Sequence, residues 1–117
     1  MDLTKKKCVP CEGSASKLTE SEENEFINQI KNWQIHRDGI HKIRKEFMLL
    51  HFRDAMSFVN QIADLAESEG HHPNISIIFN LVIIEIFTHA IGGLSENDFI
   101  LGAKIDDIFN LEYHIAQ

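Results

Sequence analysis

Asn74-Ile75-Ser76-Ile77-Ile78-Phe79-Asn80-Leu81-Val82-Ile83-Ile84-Glu85-Ile86-Phe87 is the stretch whose reading decides the fold. Its isoleucines and valine are β-branched, stiff at χ1 and poor helix formers, so the stretch reads as extended chain. A hairpin turning at Asn80-Leu81 divides it into two strands. With a two-residue loop, Phe79 pairs with Val82, Ile77 with Ile84 and Ile75 with Ile86. These side chains share one face and are all apolar, as a core-facing surface requires. Asn74, Ser76 and Glu85 fall on the other face, with Ile78, Ile83 and Phe87 among them. A slip by one residue would exchange the faces. Leu81 is an imperfect turn residue, which leaves a longer loop open.

Upstream, residues 52–68 place Phe52, Ala55, Met56, Val59, Ile62, Ala63 and Ala66 at helical spacing, an amphipathic stripe. Phe58 and Leu65 add apolar area off that stripe, which reads as a wider buried face or as a face that packs on another subunit, and Glu67, Glu69 and Gly70 close the helix. Before it, Trp33-Gln34-Ile35-His36 and Ile40 to Leu50 flank Asp38-Gly39, a strong hairpin signal. Earlier still, Thr19-Glu20-Ser21-Glu22 matches a capping box, and Phe26, Ile27 and Ile30 continue a helix to about Lys31, with Trp33 tucked on the core. Residues 1–18 read as an irregular leader with Pro10, Gly13, Ser14 and Ser16 as breakers, and 19–117 as the domain. Downstream, Gly92-Gly93 make a turn and Ser95-Glu96-Asn97-Asp98 opens a last helix through Phe99, Ile100, Ala103, Ile105 and Ile108, frayed at its end. The order is α-β-β-α-β-β-α. It predicts an α+β fold, an antiparallel sheet covered on one face by helices.

The chain has 117 residues, 44% hydrophobic and 25% charged, the balance of one globular domain with a small core. A formal net charge of −7 argues against a nucleic-acid surface, which needs a basic stripe. No apolar run is long enough for a membrane span, and Met1 to Lys7 lacks the apolar segment of a secretory signal, so a cytoplasmic protein is expected. Cys8 and Cys11 lack the second cysteine pair of a structural zinc site and the βαβ setting of a redox motif; they read as a mobile reduced pair.

His71-His72-Pro73 precedes the hairpin and Thr88-His89 follows it, with Gly92-Gly93-Leu94-Ser95 and Asp98 beyond. Histidine exchanges protons near neutral pH without special tuning. Extending the hairpin register outward sets His72 opposite His89, at a directly paired Cβ separation of about 5 Å, with His71 at the same end. Such a cluster points to acid–base chemistry. A His₃ metal site is the other arrangement three imidazoles allow. His36, His41, His51 and His114 read as structural or solvated.

These residues resemble the pterin-4a-carbinolamine dehydratase family. Glu67-Ser68-Glu69-Gly70-His71-His72-Pro73 resembles its acidic-x-x-x-His-His-Pro element, and Thr88-His89 with Gly92-Gly93-Leu94-Ser95-x-x-Asp98 its second signature. Trp33, Phe52-Arg53-Asp54-Ala55-x-x-Phe58 and the Cys8-x-x-Cys11-Glu12-Gly13 leader also fit, so the resemblance covers nearly the whole chain. Two positions depart from it: Gly70 stands where many members have an acid or amide, and Asn97 where many have a basic residue. Both remove groups able to touch a pterin ring.

The resemblance implies a four-stranded antiparallel sheet with three helices, assembled as a homodimer or homotetramer. It implies removal of water from 4a-hydroxytetrahydropterin to give quinonoid dihydropterin, with no metal and no cofactor. That would recycle the tetrahydropterin of aromatic amino-acid hydroxylases, phenylalanine hydroxylase among them. His71 and His89 become general acid and base, and His72 binds the pterin and shares the proton work. Glu67, Pro73, Thr88 and Asp98 become substrate-binding residues. Glu67 would orient an imidazole; the plainer reading of Asp98 is a carboxylate at a helix start. Two further readings stay open. One is an interaction protein that stabilises a transcription-factor dimer through the second helix. The other is a relative acting on a different pterin.

Overall fold

The computed structural model describes residues 2–9 and 16–113. It contains α1 (Glu20–Ile27), β1 (Gln34–His36), β2 (Lys42–Met48), α2 (Phe52–Glu69), β3 (Asn74–Ile78), β4 (Leu81–Ile86) and α3 (Glu96–Glu112). Short 3-10 turns occupy Leu3–Lys5 and His89–Ile91. The strands form one antiparallel sheet in the order β1-β2-β4-β3. Element order and sheet agree with the α+β reading. Ile43, Phe47, Val82, Ile84 and Ile86 alternate onto one face and are buried against the helices.

The β3–β4 register differs from the expected one. Ile78 pairs with Leu81, Ile77 with Val82 and Ile75 with Ile84, so the turn is Phe79-Asn80. The pairing is offset by two residues in total, which keeps every side chain still within the strands on its expected face and moves Phe79 into the turn. Two bonds across the end of β2 favour this turn: the Leu49 N–H donates to the Asn80 carbonyl (2.8 Å), and Asn80 Nδ2 donates to the Leu49 carbonyl (2.9 Å). Phe79 takes φ +55° and stays 68% exposed, instead of pairing with Val82 in the core.

Two helices also depart from expectation. α1 ends at Ile27 rather than near Lys31, because i→i+3 bonds from Gln29 to Phe26 and from Ile30 to Ile27 tighten the next turn. Ile30 is still buried there. In α2 the buried residues are Ala55, Phe58, Ile62 and Ala66. Phe58 is therefore core, while Phe52 and Met56 of the expected stripe are exposed. The large Phe58 ring meets Phe47, Phe109 and Tyr113 edge to face, and this packing sets the rotation of the helix. α3 is buried on most of its circumference and lies between α1, α2 and the sheet.

The leader is docked rather than loose over residues 2–9: Leu3 is buried in the core, its turn packs on α3, and Cys8 is half-buried. Cys11, with Pro10, Gly13 and Ser14, lies outside the described residues, as does His114.

Candidate active site

Two chain reversals build the site. α2 stops at Gly70, whose φ of +66° is the left-handed cap that glycine takes without strain. The His71 N–H then bonds back to the Ala66 carbonyl (3.2 Å), and His71 turns inward. Across the sheet, β4 runs into Phe87 and Thr88. Thr88 pairs with Gly93 in an isolated bridge, so His89–Ile91 is forced into a tight turn at the rim.

His71 is 6% exposed, and its Nε2 lies 2.6 Å from Asp98 Oδ1. A carboxylate accepts, so Nε2 carries the hydrogen and Nδ1 is the nitrogen left for proton exchange. Asp98 is fully buried, and a buried carboxylate needs several donors. It has them: His71, the Thr88 hydroxyl (3.0 Å to Oδ2) and the Ser95 N–H (2.8 Å). Thr88 is 2.9 Å from Ser95 Oγ, which ties the bridge to the start of α3. His72 is exposed, with Nε2 2.6 Å from Glu67 Oε2 one turn back on α2. The His89 ring packs on Phe87 at 4.2 Å between centroids.

Gly70, His71, His72, Phe87, His89 and Ala90 line one cavity of about 220 Å³. The three expected imidazoles thus share a pocket, though His72 is not cross-strand to His89: the ladder ends at Asn74 and Glu85, and β4 gives way to the turn. Glu67 reaches the pocket only through His72. Thr88 and Asp98 stand behind its wall, and Pro73 leads away into β3. Asp98 serves the helix start, the plainer role weighed for it, and bonds the His71 imidazole from behind the wall instead of lining the pocket. Phe87 and Ala90 were not expected in the wall. Strand alternation is the signal for Phe87, which shares its face with Glu85 and Ile83 on the helix-free side.

Asn97 is buried and bonded to Val9 rather than aimed at the pocket, and Gly70 offers the pocket only backbone. Burial, then the Glu69 carboxylate, pushes the Cys8 thiol up to about 12, so Cys8 is a neutral packing group and not a nucleophile. A larger cavity of about 470 Å³ lies elsewhere, beside Gln29, Lys45, Ala103 and Asp106. Its Lys45–Asp106 pair (2.8 Å) is mutually satisfied and it holds no imidazole, so size does not select the site. Among the described residues, no three His, Cys, Asp or Glu side chains group closely enough to hold a metal ion, and no helix is long and apolar enough to cross a membrane.

The sequence profile of the family described as pterin 4 alpha carbinolamine dehydratase matches residues 16–108, which span both signatures and every element of the sheet. This chain belongs to that family. Among its dehydratase relatives, a Nitrosospira multiformis protein, provisionally named pterin-4-alpha-carbinolamine dehydratase, is 43% identical over 94% of this chain and 95% of its own length. The mitochondrial pterin-4-alpha-carbinolamine dehydratase 2 of Arabidopsis thaliana is 42% identical over 92% of this chain and 59% of its own length. A solved structure titled transcriptional coactivator/pterin dehydratase, from Brucella melitensis, superposes with a TM-score of 0.75 at 32% identity, covering 80% of this chain and 98% of that one. The family's description is that of a pterin-directed lyase, and the pocket lined by the three histidines lies within the matched residues.

Proposed function

We propose that this protein dehydrates 4a-hydroxytetrahydropterin to quinonoid dihydropterin by histidine acid–base catalysis, recycling the tetrahydropterin of aromatic amino-acid hydroxylases such as phenylalanine hydroxylase. The C4a–O bond breaks, the leaving hydroxyl takes a proton from a general acid, and a base removes a proton from the ring nitrogen side, so one water leaves. One observation carries the reading: three imidazoles, two of them tethered to carboxylates, surround one small cavity. Typical ligand pockets are about 300–1,000 Å³, so a smaller cleft suits a single flat heterocycle better than a nucleotide or a peptide. His71 and His89 serve as acid and base; His72 holds the pterin and shares the proton work. Glu67, Thr88 and Asp98 fix imidazole orientation, and Pro73 stiffens the approach to β3. Positioned imidazoles contribute on the order of 10²–10⁴-fold in such transfers.

The reading is tested by stopped-flow dehydration of chemically generated 4a-hydroxytetrahydropterin. Acceleration is expected, with a loss of at least about tenfold in His71→Ala and His89→Ala. No acceleration, or unchanged rates in both variants, overturns it. The same proposal includes cytoplasmic action as a homodimer or homotetramer, which light scattering on the purified chain checks.

A second reading is favoured by Phe52 and Met56, which α2 leaves exposed. There the chain is a binding module for a transcription-factor dimer, a role in keeping with the words transcriptional coactivator in the name of the Brucella melitensis structure. Histidine variants that lose dehydration yet retain a partner would show both roles on one scaffold.

A further inference from the structure

The docked leader crosses the two helix ends that carry the buried His71–Asp98 pair. At the end of α2, Glu69 Oε1 accepts the Cys8 N–H (2.8 Å), and Oε2 accepts from Lys104 Nζ of α3 (2.6 Å). At the start of α3, Asn97 makes a two-way amide clamp with Val9: the Val9 N–H donates to Oδ1 (2.9 Å), and Nδ2 donates to the Val9 carbonyl (2.8 Å). Cys8 Sγ reaches the Asn97 carbonyl at 3.6 Å, and Lys6 pairs with Glu96. The Glu69 side chain is 4% exposed and Asn97 2%, so the atoms these two residues bring to the bonds are shielded from water, while the Lys6–Glu96 pair lies partly exposed.

Position gives the clasp its meaning. Glu69 stands two residues before His71, and Asn97 directly precedes Asp98. Between Glu69 and His71 lies Gly70, which has no side chain to brace the turn. A 2.6 Å bond between residues on different elements tolerates little movement of one element against the other. Leu3 anchors the leader by apolar burial, and the polar bonds further along it reach the end of α2 and the start of α3. Neither Glu69 nor Asn97 lines the pocket.

We propose that Glu69 and Asn97 are positioning residues, and that the Lys6–Val9 segment is a clasp holding the end of α2 against the start of α3, so that Asp98 keeps the His71 ring in one tautomer and one orientation. This rests on the acid–base reading of the site. Small displacements of a proton-transfer group are costly in rate, while substrate binding in the pocket is left nearly intact.

Val9→Pro removes the N–H given to Asn97 at an exposed residue and disturbs no buried side chain; Val9→Ala keeps that N–H; Asn97→Ala removes the clamp from the other side. The substrate-free measurement is exchange of the His71 Nε2 hydrogen with water, followed by ¹⁵N-edited NMR, with His72 as internal reference. Val9→Pro and Asn97→Ala should exchange about tenfold faster or more, and Val9→Ala as the unaltered protein does. In dehydration kinetics the same two variants should lose about tenfold in kcat with KM within about twofold. Unaltered His71 exchange in folded Val9→Pro overturns the clasp. Absence of dehydration in the unaltered protein overturns the catalytic role of the clasp together with the reading it rests on, and the exchange data tell the two failures apart. If Asn97→Ala does not fold, Val9→Pro decides alone.

Discussion

Asp98 has no exposed surface, and its oxygens accept from His71, Thr88 and Ser95. Replacing it by Asn turns one acceptor into a donor facing donors. Asp98→Asn should therefore cost about 1–3 kcal/mol of stability in urea unfolding. It should also lose about tenfold or more in kcat, because the amide no longer holds His71 as the carboxylate does. Phe79 is the opposite case, a residue at odds with its backbone. It takes φ +55° at the first turn position, where a hairpin of this kind favours glycine, and its ring is 68% exposed. The left-handed region costs a bulky L-residue about 1–2 kcal/mol, part of which glycine returns through its freer unfolded chain. Phe79→Gly should raise stability by about 0.5–1 kcal/mol, read as a higher urea midpoint at unchanged slope.

At the scale of elements, α2 shows where a periodic pattern misleads. Phe52, Met56, Val59 and Ala63 satisfied helical spacing as well as Ala55, Phe58, Ile62 and Ala66 did, and only the second set with Phe58 is buried. The stripe was legible, but its rotation by about one residue was not. That rotation follows from the Phe47–Phe58–Phe109 ring cluster, which joins β2, α2 and α3. Phe58→Ala should cost about 3–5 kcal/mol in equilibrium unfolding. Phe52→Ser should stay within about 0.5 kcal/mol in the same assay. The hairpin teaches a similar lesson. Face assignment survived because strand periodicity is two, while the turn moved to meet Leu49, a partner thirty-one residues from Asn80.

For the whole molecule, the Glu69 carboxylate of α2 joins α3 through its ion pair with Lys104 and the leader through the Cys8 N–H. Burial pushes the Glu69 carboxyl upward, but the Lys104 hydrogen bond, the Cys8 N–H and the Lys104 charge outweigh it and hold the group below the usual glutamate range. A carboxyl with a lowered folded-state pKa adds stability that is full above its ordinary, unfolded value. That stability is lost as the pH falls through the lowered one. Melting temperature followed from neutral to acid pH should drop through that window, and Glu69→Gln should flatten this part of the acid limb while lowering the plateau. The exposed apolar residues Met48, Leu50, Ile78 and Phe79 gather at the other end of the sheet, around the β3–β4 turn, away from the site.

The chain's own letters determined the element order, the buried face of the β3–β4 hairpin, the helix caps at Thr19 and Ser95, and the three histidines, because each of these follows from local spacing or local bonding chemistry. Tertiary structure alone decided that Asp98 grips His71 and Glu67 grips His72, that Phe87 walls the pocket, and that the leader ties Glu69 to Asn97. Those pairings join residues from different elements, and their geometry depends on how helices rotate and strands end when side chains pack, which no local pattern encodes.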